Sequence, residues 1–245
     1  MSPNGLVVPA ASCVLKSRFI RDRWAVPTMA EYFLCLDAET FLKRIRPAFA
    51  GSWRLRSFEP CRSLCKELLP AARDYTQRYH LGEEETLVAQ VAGGVPFDRA
   101  VWRLLVGEVL LFAAVEIPEF QSNSEALCCL LAPEQFRRGV MIREQFAPIQ
   151  QVLRGSRDLT FGAAVYRPDQ AGYNDPEDVA RLAAFLAAVQ PQNWTVDDLR
   201  ALPELCDDDE RSDELAFVRE WFPVLVDLYR RTRVEQRVLI IESIY

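Results

Sequence analysis

The chain has 245 residues, 50% hydrophobic and 26% charged, which excludes a disordered or fibrous polypeptide and leaves enough chain to bury a sizeable core. A net charge of −6 and a pI near 5.1 disfavour binding to a phosphate backbone. In the most apolar stretch, residues 101–120, the uninterrupted runs are only 104–107 and 109–115, far short of the roughly 20 residues that span a bilayer.

Residues 1–28 read as a disordered leader or a mis-assigned start, with the domain proper beginning near Met29. Lys16, Arg18, Arg21 and Arg23 follow the apolar stretch instead of preceding it, and Pro9 breaks it, unlike a secretory signal. Glu31–Leu36 suits a strand, and Asp37 can cap a helix running to about Phe49. Residues 51–59 read as a loop. Pro60 opens a helix that carries Leu64, Leu68, Leu69, Ala72, Tyr75 and Tyr79, with Pro70 set to kink or split it. A short helix over 83–91 ends at Gly93-Gly94. Asp98 then caps the helix containing VWRLLVGEVLLFAAVEIPEF, which Pro118 stops.

Ser122 and Glu125 form a capping box ahead of residues 126–131, and a helix over 146–153 closes at Gly155. Residues 159–166 read as one strand in which Gly162 marks a bulge or a close approach. Asp175-Pro176-Glu177-Asp178 is the strongest helix start: a cap, a first-turn proline and two first-turn acids, leading a helix to Val189. Thr195 and Asp198 resemble a second capping box. A long helix over 212–233 carries Leu215, Val218, Phe222, Leu225 and Tyr229, with Pro223 expected to bend it, and residues 238–244 form a terminal strand. The fold class is α+β, mostly helical, with a small sheet of three or four short strands and a central buried helix. Residues 29–245 read as a single domain with a subdomain break near 167–174.

The seven cysteines are irregularly spaced and odd in number, which suggests reduced, buried thiols in a cytoplasmic protein. Cys61 and Cys65 share a helical face and could pair with His80, the single histidine, but ligand count and spacing fall short of a zinc site. No metal and no cofactor is expected. No phosphate-binding glycine loop, nucleophile elbow or zinc-protease motif occurs. Glu108 stands on the apolar side of the 101–120 helix and Glu116 near its end. A carboxylate there must be paired, reach water or take up a proton. The two are the candidate acid–base residues, against a structural pairing or a ligand pocket. Arg157, Tyr166, Arg167 and Tyr173 lie at a strand end and loop and are the candidate ligand-binding residues. The acidic runs 83–85 and 207–210 read as solvated loop or helix-start residues, or as a contact for a basic partner.

Tyr173-Asn174-Asp175-Pro176-Glu177-Asp178-Val179, and the later Phe222, Leu225, Leu228 and Tyr229 followed by an apolar strand, resemble the YfbM-like family of uncharacterised bacterial proteins. The likeness covers about a third of the chain, from Thr160 onward. The remainder lacks that family's tryptophan-led helix near a histidine and leucine pair. The resemblance implies a cytosolic bacterial α+β protein without established chemistry, and it carries over no catalytic residue. The sequence thus points to a non-catalytic protein- or ligand-binding module with a basic protein as partner, no nucleic acid and no membrane. The alternative is a hydrolase or transferase using Glu108 and Glu116.

Overall fold

The structure, a computed structural model, describes residues 30–79, 86–118, 124–133, 147–168 and 170–244. The leader with Cys13, His80, the 83–85 acidic run, Ser122 of the capping box and Phe146 lie outside the described residues.

An antiparallel sheet lies between two helical layers. Its order is β1 (Ala30–Asp37), β6 (Arg237–Ile244), β5 (Ala171–Asn174), β2 (Arg157–Asp158). β1 and β6 pair along their full lengths, with Leu34 opposite Ile240 and Cys35 opposite Leu239. Alternate residues feed different cores. Leu34, Leu36, Val238, Ile240, Ala171 and Tyr173 face one layer. Phe33, Cys35, Leu239 and Ile241 face the other. Strands covered by helices on both faces read as continuous apolar runs, which accounts for VLII at 238–241.

The first layer holds α1 (Arg46–Leu55), entered through a π-helical turn at Thr40–Ile45, then α2 (Glu59–Tyr79), α3 (Leu87–Gly93) and α4 (Arg99–Ala113). Asp37 Oδ1 accepts from the Thr40 amide at 2.7 Å, so the expected cap forms. The expected loop at 51–59 is instead mostly helix, since α1 continues to Leu55. Gly51 stands where a Cβ would come within 3.3 Å of the Pro60 ring, so it is a packing residue of α1 against α2. α2 runs through Pro70 without splitting. α4 buries Trp102, Leu105, Val106, Val109 and Leu110, is capped by Asp98, and ends at Ala113 before Pro118 is reached.

The second layer holds α5 (Ser124–Leu131), α6 (Pro148–Arg154), α7 (Pro176–Ala188) and α8 (Asp208–Val234). Asp175 caps α7 as expected, accepting from the amides of Glu177 and Asp178. α8 starts four residues before the predicted point because Asp207 caps it, accepting from Glu210 N at 2.8 Å. It runs through Pro223. Asp198 accepts from both the amide and the hydroxyl of Thr195 at the head of a short 3-10 turn.

Two expectations fail for one reason. Residues 159–166 form a hairpin, not one strand: β3 (Thr160–Phe161) pairs with β4 (Ala164–Val165). Gly162 takes φ +64° at the first turn position and sits 3.3 Å, by its absent Cβ, from Ala50 of α1. Residues 171–174, read as part of a loop, are β5 in the interior of the sheet. Both strands are too short for their alternation to be visible.

Gly155 joins α6 to β2 with φ +79°, and a Cβ there would meet Tyr173 N at 2.4 Å and the Gly172 carbonyl carbon at 2.7 Å. Backbone blocks it on one side and sterics at positive φ on the other. Gly155→Ala is expected to destabilise the fold by about 2–4 kcal/mol. Calorimetric melting checks this, and a melting temperature unchanged within a degree would contradict the close approach.

Candidate functional site

Glu108 lies on α4 where that helix passes the start of α3. Its Oε2 accepts the Val88 amide at 2.9 Å, and the nearby Leu87 amide also favours the charged carboxylate. Thr86, the N-cap of α3, accepts from Ala89 N at 3.2 Å. The amides of Val88 and Ala89, which no carbonyl of their own helix can reach, are therefore satisfied by side chains, and the acceptor for Val88 lies 20 residues away, on Glu108. A carboxylate at a helix N-terminus also meets the positive end of the helix dipole. Burial nevertheless holds the Glu108 carboxyl above its ordinary value of 4.5, and the two amides pull it only part of the way back. Glu108 is thus partly buried beside an apolar face that is itself formed by its neighbours on α4, with Cys65 and Tyr75 of α2 close enough to feel its charge.

Glu116 is not on α4. It follows the helix in an extended segment that pairs with the outer edge of β1. Val115 N donates to Cys35 O at 2.9 Å, and Cys35 N donates to Glu116 O at 2.9 Å. Its side chain accepts a charge-assisted bond from Arg231 of α8 and lies 3.7 Å from Arg237 of β6. Arg231 also pairs with Asp227 at 2.8 Å, and Arg237 with Glu235 at 2.6 Å. The two candidate carboxylates therefore engage different partners: Glu108 the end of a helix, Glu116 a group of arginines.

The four candidate ligand-binding residues divide in the same way. Arg157 bridges Asp175 and Asp178 at 2.7 Å each, tying β2 to the first turn of α7. Asp178 also takes Arg181 at 3.2 Å. Tyr173 is buried, edge-on to Phe41 at 5.4 Å, with the Arg46 guanidinium 5.4 Å over its ring. Tyr166 and Arg167 do come together. Arg167 adopts the left-handed region at φ +44° and donates to Glu242 Oε2 at 2.9 Å and to Gln170 at 3.3 Å. Tyr166 lies beside the same group, and its ring hydroxyl fills the space above Gly107 of α4, where a Cβ would lie 2.8 Å away. Burial raises the Glu242 carboxyl above its ordinary value, while Arg167 opposes that rise. Burial also raises the Tyr166 phenol.

A polar group that the sequence did not single out lies in the second layer. Asn174 Nδ2 donates to Gln151 O at 3.1 Å and to the Tyr229 hydroxyl at 2.9 Å. Tyr229 donates to Val152 O at 2.7 Å, and Asn174 Oδ1 accepts from Ser156 N at 2.7 Å. Both side chains are fully buried. Between them they satisfy carbonyls in the last turn of α6. Only Asn174 carried a signal, as an amide inside an apolar, short strand.

Cys35, Cys61, Cys65, Cys128 and Cys129 are buried and Cys206 is exposed. Burial pushes the Cys61, Cys65 and Cys128 thiols up to about 12 and Cys35 up to about 11, which keeps them protonated and poor as nucleophiles. Among the described residues, no group of three or more His, Cys, Asp or Glu converges as a metal site would require. No helix among them is long and apolar enough to cross a membrane.

No family model and no curated protein matches the chain. Among solved structures, the crystal structure of a protein of unknown function, YfbM from Escherichia coli, is similar over 88% of this chain and 100% of its own, at 10% identity and a TM-score of 0.45. That likeness extends well beyond the C-terminal third, but at this score it assigns neither family nor activity.

Substitutions at two positions check the roles given to these groups. Since the folded-state pKa of Glu108 lies above the unfolded value, its ionised form costs stability that its protonated form does not. The wild-type chain is therefore expected to lose stability relative to Glu108→Gln as pH rises from 4.5 through the folded-state pKa. Glu108→Ala, which uncaps Val88 at the start of α3, is expected to cost about 1–2 kcal/mol at neutral pH. Urea titrations across pH measure both, and a wild-type-to-glutamine difference that stays flat would count against the buried cap. Tyr229→Phe strands the Val152 carbonyl and one Asn174 donor, for an expected loss of about 1–3 kcal/mol. An unchanged urea midpoint would show that these bonds contribute nothing net.

Proposed function

We propose that this chain is a non-catalytic protein-binding module of the cytoplasm whose partner is a basic protein. The observation that carries the reading is the engagement of Glu108. The side chain best suited by burial to acid–base work is already spent on the amides that open α3. Glu116, Arg157 and Arg167 are likewise bound into ion pairs that join one element to another. What is left to meet a partner is the exposed surface of a chain whose net charge of −6 favours and speeds encounter with cationic proteins. The buried thiols suit a reducing compartment.

A decalysine peptide titrated into the full chain at physiological salt, followed by amide NMR shifts, tests the partner class. Saturable binding with shifts confined to one surface is expected. No saturation, or shifts spread evenly over every acidic side chain, would overturn a specific basic partner. Turnover of p-nitrophenyl esters or phosphates that disappears in Glu108→Gln would overturn the absence of catalysis.

A further inference from the structure

At one end of the first helical layer, the last turn of α1 and the first turn of α4 bring together a basic and aromatic surface on a chain that is acidic as a whole. Trp53 is partly exposed, with its inner edge against the buried Trp102 at a centroid distance of 4.9 Å. The Arg56 guanidinium lies 4.5 Å from the Trp53 ring centre and 5.9 Å from that of Phe97. The Arg99 guanidinium lies 5.4 Å from the same Trp53 ring. Phe97 is anchored by Phe58 at 5.1 Å. Arg54, Arg56, Arg99 and Arg103 are all exposed, and among the described residues none of them forms an ion pair. The acids nearest in sequence are occupied: Asp98 caps α4 and Glu59 pairs with Arg62 at 2.5 Å. Leu55, 61% exposed, adds an apolar rim.

Cation–π contact positions a guanidinium without using its N–H donors in a hydrogen bond. Two such groups held on one indole are ordered before any ligand arrives, which lowers the entropy that binding costs. Their forks match carboxylates in bidentate geometry. Arg56 is held further by its backbone, since it ends α1 at φ +51° with its amide donating to Ser52 O. A single-stranded nucleic acid would need an open aromatic ring for a base to stack on, and Trp53 already carries both guanidiniums. The net charge of −6 also repels a long polyanion, whereas a short acidic segment meets only the local arginines.

We propose that the Trp53–Arg56–Arg99 surface binds a carboxylate-rich peptide segment of a partner protein. The site lies on the α1–α4 layer, whereas the acidic 207–210 run, which opens α8, lies in the other layer.

The test titrates an acetylated, amidated hexaglutamate peptide into the full chain at low ionic strength, followed by calorimetry and Trp fluorescence. Saturable one-to-one binding is expected, weakened by about tenfold or more in R56Q/R99Q and less, but measurably, in R56K/R99K, which keeps both charges and loses both forks. Binding should weaken with added salt. Should the glutamine pair fail to fold by circular dichroism, the lysine pair carries the comparison. No saturable binding, equal affinity in the folded variants, or a hexathymidylate that binds as tightly as hexaglutamate would each overturn the proposal.

Discussion

The pairing of β1 with β6 is the constraint on which the rest of the molecule depends. It joins residues 30–37 to residues 237–244, so nearly the whole described chain is a loop closed by one ladder. Closing a loop of that length costs entropy that grows only slowly with length, but the contacts that repay it come late. Here they come on both faces at once. Leu34 and Ile240 face the first layer while Phe33 and Ile241 face the second, so each core needs the ladder and the ladder needs both cores. At Cys35 the outer edge of β1 also pairs with the Val115–Glu116 segment, and this segment is held in turn by Arg231 and Arg237. At that point the edge meets its own chain in place of another.

The same economy appears where helices end inside the protein. An end buried against a neighbour cannot leave its orphan groups to water. α3 begins against α4 and is finished by Glu108. α6 ends against β5 and α8 and is finished by Asn174 and Tyr229. In each case a polar side chain from a distant element carries out what a local cap does at an exposed helix start. Burial at these helix ends is what raises the pKa values of the Glu108 carboxyl and the Tyr229 phenol. Perturbed titration marks burial as readily as chemistry, and the partners distinguish the two.

The division between what the sequence revealed and what it hid follows interaction range. Asp37, Asp98 and Asp175 were legible as caps because each meets amides two or three residues away. Glu108 was legible as a problem, a carboxylate in an apolar helix, but its solution lies 20 residues off in another helix. The apolar residues of α4 divide in the same way: Leu104 is exposed, while Trp102 and Val106 fill the interior. Apolarity ranks residues by type, while packing chooses among them by which neighbour approaches. β5 was lost because four residues, one a glycine, have no period to display. Of the four candidate ligand-binding residues, only Tyr166 and Arg167 lie together, since a common loop in sequence does not imply a common site in space.

Charge shows the same separation of scale. The net value of −6 is a sum over the chain, and at physiological salt a surface charge is felt over about 8 Å. A partner in contact therefore meets a local set of groups, not the sum. Many of the acids that make the sum negative are committed locally: Asp98, Asp175 and Asp207 to helix starts, Glu116, Asp178 and Glu242 to arginines. Arg56 and Arg99 are held by an aromatic ring instead of a carboxylate, which fixes their position without neutralising them. An acidic protein can thus present a locally positive surface, and composition alone cannot reveal it because the distinction lies in the partner each arginine has found.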